Sequence, residues 1–126
     1  MAVLPMKCSR YLKERGIIFE EIEDAGRKGV ILRDVVLPPD RFDVTKADIL
    51  ILLPSGYPDS APDMFHALPW LRLVTTNAYP RRADHPVSFA GKSWQRWSRH
   101  NEAWRPGIDG IWTMMKRIEI ALSEAA

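Results

Sequence analysis

This chain has little of what usually announces chemistry. Its 126 residues include one cysteine and three histidines. The single Cys8 cannot close an intramolecular disulfide, an economy that fits a reducing compartment. His66, His85 and His100 stand in no paired ligand spacing with one another or with Cys8, so neither a metal site nor a cofactor is expected. No apolar run approaches the ~20 residues that span a bilayer. The opening MAVLPMKCSRYLKERG also lacks the basic start, apolar stretch and small-residue cleavage site of a secretory signal. Cytoplasmic residence away from membranes is therefore expected. A net charge of +2 selects no partner by itself.

What is present suits a single domain over residues 1–126. Apolar residues at 46% and charged residues at 27% are ordinary for a globular chain, and a chain of this length buries about two-thirds of the surface its unfolded form exposes. Pro5 fits a first helical turn and Gly16 a helix stop. Between them Leu4, Cys8, Tyr11 and Leu12 form an apolar stripe, which makes Cys8 a core residue rather than a nucleophile. Residues 17–24 and 30–37 read as β segments joined by a glycine-bearing turn. The run DILILL at 48–53 predicts a strand buried on both faces. Pro54, Pro58 and Pro62 then interrupt regular structure. A fourth strand is predicted over 68–75, with Pro69 restricting its start, followed by a long loop over 76–89. After Arg105-Pro106-Gly107, Ile108, Ile111, Trp112, Met115, Ile118 and Leu122 recur at helical spacing and predict a final amphipathic helix. Asp109, Lys116, Glu119 and Ser123 fall on its wet side.

Between loop and helix lies FAGKSWQRWSRHNEAWRP, residues 89–106. Trp94, Trp97 and Trp104 fall within eleven residues. Each indole brings a large apolar body and an N–H to satisfy, so a packed but irregular span is expected. From Arg81 to Arg105 six basic residues stand against two acids, Asp84 and Glu102. Arginines interleaved with indoles are the makings of a single-strand nucleic-acid platform. Tryptophans buried against the helix, with the charge meeting an acidic protein surface, is the preferred reading.

Helix, four-stranded antiparallel meander, proline-rich turn, irregular active-site-like loop and a helix packed back on the sheet form an α+β order that resembles the ubiquitin-conjugating (UBC) fold. Tyr57-Pro58-Asp59-Ser60-Ala61-Pro62 resembles that family's Y-P-x-x-x-P turn, and Trp104-Arg105-Pro106 is similar to the W-x-P ahead of its next helix. His85-Pro86 resembles the start of its H-P-N motif, and Gly91 falls where the family has a glycine before its nucleophile. The wording LPSGYPDSAPDMF and WQRWSRHNEAWRPGIDGI is most similar to the prokaryotic ubiquitin-conjugating-like family E. That resemblance implies partners: a ubiquitin-like protein, a ThiF-type activating enzyme, an active conjugating enzyme or a JAB-type peptidase.

Active UBC members place their catalytic cysteine about ten residues before the W-x-P tryptophan. Ten back from Trp104 and nine forward from His85 both reach Trp94. An indole offers no nucleophile for a thioester, and Val87 stands where the oxyanion-stabilising asparagine of H-P-N would be. His85, Pro86, Val87 and Trp94 therefore mark a degenerate active site. The resemblance then implies a non-catalytic protein that binds or positions its pathway partners. One alternative keeps acyl transfer through an oxyester at Ser93 with His100 as base. Against it, Ser93 reads as a turn residue and His100 as a backbone-bonded histidine. Single-stranded nucleic-acid binding by the basic tryptophan loop is the other alternative.

Overall fold

The structure is a computed structural model and describes residues 3–99 and 103–126. The apolar run becomes β3 (Lys46–Leu53), inside a six-stranded antiparallel sheet. Ile49, Leu50 and Ile51 are all fully buried, so both faces of that strand are covered. Its neighbour β2 (Arg27–Val36) buries Val30, Ile31 and Leu32 in the same way. β2 turns back from β1 (Phe19–Asp24) through Ala25 and Gly26, both at positive φ. Then come β4 (Phe65–Leu68), β5 (His85–Phe89) and β6 (Lys92–Trp97), giving the spatial order β1-β2-β3-β4-β6-β5. α1 (Met6–Glu14) precedes the sheet and α2 (Ile111–Glu124) follows it. This is an α+β, UBC-like plan with two strands more than the four-stranded meander expected.

The strand differences have local causes. β4 lies at 65–68 rather than 68–75, because Pro69 has no N–H with which to continue the ladder. The segment expected to be irregular instead begins as a hairpin. Ala90 and Gly91, at φ 52° and 75°, turn β5 into β6 much as Ala25 and Gly26, at φ 52° and 79°, turn β1 into β2.

Each face of the sheet carries a core. On one, Val30, Leu32, Ile49, Ile51, Phe65 and Trp97 pack with Leu12 of α1 and Met114 and Ile118 of α2. On the other, the β5–β6 hairpin brings Phe89 and Trp94 onto Ile31 and Leu50. A Cβ at Gly29 would lie 3.0 Å from both Phe89 Cζ and Leu50 Cδ1, so the absent side chain is what admits the Phe89 ring. The two hairpin tips are tied together: the Ala90 N–H donates to Asp24 Oδ2 at 3.0 Å, and the Arg27 guanidinium donates to the Ser88 carbonyl.

α2 begins later than its apolar spacing suggests. Ile108 lies before the first turn and is exposed, Met114 is buried, and Trp112 and Met115 are half-buried. Asp109, expected on the wet side, is buried. Its carboxylate accepts the Arg105 N–H at 2.7 Å and the Thr113 hydroxyl at 3.0 Å, closing the turn that leads into α2. The Arg105 N–H, more than any other partner, holds this carboxyl below its ordinary range. Among the described residues no helix is long and apolar enough to cross a membrane.

Candidate functional site

The β5–β6 hairpin carries the positions at which sequence reading placed a degenerate active site. His85 opens β5 opposite Arg96, Pro86 lies opposite Gln95, and Val87 lies opposite Trp94. His85 and Pro86 are exposed. Trp94 is fully buried, and its indole N–H donates to the Phe89 carbonyl at 3.1 Å, so its one polar atom is satisfied inside the hairpin. Ser93 points the other way, as strand alternation requires, and is exposed opposite Ser88. No imidazole among the described residues hydrogen-bonds it, and its proposed base, His100, lies outside the described residues. Trp97 is fully buried too, stacked on Phe65 with centroids 5.3 Å apart and edge-on to Phe42 at 6.0 Å. Neither of these indoles has a face open to a nucleobase.

Between the two tryptophans, Gln95 is fully buried and carries four hydrogen bonds. Its Oε1 accepts the Leu71 N–H at 2.8 Å and the Trp97 indole N–H at 3.0 Å. Its Nε2 donates to the carbonyls of Leu71 at 3.0 Å and Ala83 at 2.7 Å. This amide replaces a strand partner for two loop segments and fastens the long loop to β6.

The family-like motifs meet on the other side of β4. The Tyr57 and Trp104 rings lie 6.4 Å apart, and the Trp104 indole N–H donates to the Pro58 carbonyl at 2.8 Å. Pro62 is buried, whereas Pro106 is exposed where the chain turns toward α2. Beneath them Cys8 is buried as expected, its Sγ 3.2 Å from the Tyr57 hydroxyl. Burial, and then the Cys8 contact, pushes that hydroxyl well above the usual tyrosine range. The Y-P and W-x-P motifs are thus two halves of one packing contact that anchors the approach to α2.

A cleft of about 760 Å³ opens beside the hairpin, lined by Arg27, Leu53, Tyr57, His66, Val87 and Arg96 among others. His66 is buried in it, with Nδ1 3.3 Å from the Leu50 carbonyl. A carbonyl can only accept, so Nδ1 carries the proton and the ring is the Nδ1–H tautomer. Burial, assisted by the nearby Arg96 and Arg27 charges, pushes His66 down from 6.5 to about 4. Among the described residues, Arg96 Nε is buried without a hydrogen-bond partner. Among the described residues no three side chains of His, Cys, Asp or Glu are grouped to hold a metal ion.

With this geometry in view, comparison with known families is informative. The model of the prokaryotic E2 family E matches residues 4–125. The chain belongs to the prokaryotic E2 family E. No curated protein and no solved structure matches it. As an E2-like protein it keeps the helix, antiparallel sheet and helix of its class. Val87 and Trp94, where the UBC resemblance expects an asparagine and a cysteine, face each other across the β5–β6 ladder. Sequence reading missed Gln95 as the fastening of the long loop, and Arg27, His66 and Arg96 as members of one cleft. Gln95 gave no signal, since a lone glutamine between tryptophans reads as a polar surface residue. The other three belong to separate strands and meet only through pairing, His66 opposite Arg96 and Arg27 across the curled sheet.

Proposed function

We propose that this family E protein works in bacterial ubiquitin-like conjugation without covalent chemistry of its own, as a single cytoplasmic domain that binds or positions other members of the pathway. Its partners on this reading are a ubiquitin-like protein, a ThiF-type activating enzyme, and an active conjugating enzyme or JAB-type peptidase. One observation carries the reading. Trp94, at the position where the family resemblance expects a thiol, is fully buried in the second core with its N–H already bonded. A thioester needs an accessible nucleophile, and the adjoining hydroxyl of Ser93 lies on the opposite side of the strand.

The test is to mix the protein with a candidate activating enzyme, ubiquitin-like protein and ATP without reductant, then take intact masses and native gels. No adduct together with a stable complex is the expected result. An ATP-dependent adduct that survives thiols, yields to hydroxylamine and disappears in Ser93→Ala would replace this reading with an oxyester carrier. Absence of both adduct and complex would overturn it as well.

A further inference from the structure

The cleft beside the hairpin holds a grouping that the scaffold reading does not use. Arg27 is positioned on one wall by its bond to the Ser88 carbonyl and by its guanidinium lying 5.4 Å from the Phe89 ring centroid. Arg96 stands on another wall, directly paired with His66. Lys28 sits at the rim, and among the described residues the one acid lining the cleft is Asp63. Both guanidinium groups line the cleft, and both charges act on the His66 imidazole. Arg96 Nε adds to this, because among the described residues this buried donor has no partner, and an unpaired buried donor is destabilising. A bound anion is one way in which a native fold accommodates an orphan buried donor.

We infer that this cleft is an oxyanion site, and that its ligand is a phosphate group carried on an organic molecule. A carboxylate brings one negative charge, whereas a phosphate monoester brings nearly two and three acceptor oxygens, which matches two guanidinium forks and a rim lysine. The volume argues for the organic part. A cleft of about 760 Å³ is in the size range of sites that enclose whole small molecules, and bare phosphate would leave most of it empty. Leu52, Leu53, Tyr57 and Val87 supply apolar walls for that remainder. The inference stands apart from the conjugation reading and does not depend on it.

Titration calorimetry of the full chain with AMP, with inorganic phosphate, and with a short peptide ending in a free carboxylate distinguishes the sources. AMP is expected to bind, inorganic phosphate more weakly, and the peptide least. Arg96→Met is expected to weaken AMP at least tenfold while raising the thermal midpoint of the free protein, because it removes an unpaired buried donor. Arg27→Gln is expected to weaken AMP to a similar degree, and Lys28→Gln to a smaller one. No AMP binding at millimolar concentration overturns the site, as does binding that Arg96→Met leaves unchanged. A peptide that binds more tightly than AMP overturns the phosphate assignment in favour of a chain terminus.

Discussion

Val87 and Trp94 are cross-strand partners in the β5–β6 ladder, and the indole of Trp94 is fully buried against Ile31, Leu50 and Phe89. Trp94 thus fills the second core, while half-buried Val87 faces it across the ladder.

Placing a thiol at this position is therefore expected to unpack the hairpin without creating transfer chemistry. Trp94→Cys removes most of a fully buried aromatic and leaves the Phe89 carbonyl without its donor. A loss of about 3–5 kcal/mol is expected, in the range for large-to-small changes at buried aromatics. Denaturant melts measure the loss, and intact mass after incubation with activating enzyme, ubiquitin-like protein and ATP measures the chemistry. A well-folded variant that forms a thiol-sensitive adduct would mean that Trp94 blocks an otherwise working site.

Gln95 makes a second prediction. Gln95→Leu keeps most of the volume but strands the N–H and carbonyl of Leu71, the carbonyl of Ala83 and the Trp97 indole N–H. Each buried orphan costs about 1–3 kcal/mol, and these share one site, so a total near 3–5 kcal/mol is expected rather than the sum. Urea unfolding of the variant checks it. A change below about 1 kcal/mol would mean that water or backbone movement satisfies the four groups.

These two residues also explain what the sequence did and did not disclose. β2 and β3 were legible because Val30 to Leu32 and Ile49 to Ile51 are unbroken apolar runs. The stripe Leu4, Cys8 and Leu12 was legible because a single face of α1 meets the sheet. The β5–β6 hairpin was not, since its burial breaks both rules: Trp94 and Gln95 are adjacent and both fully buried, one on each face, and the second is polar. Pro86 further disguises β5, which tolerates it because that strand lies at the sheet edge. The signal available was the turn itself. Ala90-Gly91 repeats the Ala25-Gly26 pair that had marked the first hairpin. The cleft was less legible still, for Arg27, His66 and Arg96 are distant in sequence and meet through strand order alone.

His66 makes a prediction about pH. The folded chain holds it near 4 while the unfolded chain protonates it near 6.5. Between those values the unfolded state binds the extra proton, so stability is full above about 6.5 and is lost as pH falls toward about 4. The loss amounts to something on the order of 3 kcal/mol. His66→Asn keeps a donor for the Leu50 carbonyl but cannot titrate. The unfolding free energy of the unmodified protein should fall relative to that of His66→Asn as pH drops from about 6.5 toward about 4. Parallel profiles would show that His66 protonates within the fold.

The contact between the two family motifs makes the last prediction. Tyr57 and Trp104 touch through rings 6.4 Å apart, and Trp104 also reaches the Pro58 carbonyl, so each half of the contact holds the other. If the two motifs form one anchor, their energies must be coupled. In a double-mutant cycle of Tyr57→Leu and Trp104→Leu, the pair together should cost about 0.5–1.5 kcal/mol less than the two singles added. Cys8 reports on the same anchor from beneath, since its sulfur lies 3.2 Å from the Tyr57 hydroxyl and is buried. A thiol reagent should therefore label it slowly in the native protein and appreciably faster in Tyr57→Leu, in which the cover is lost. Additive stabilities together with unchanged labelling would mean that the two motifs act independently and that Cys8 is shielded by α1 alone.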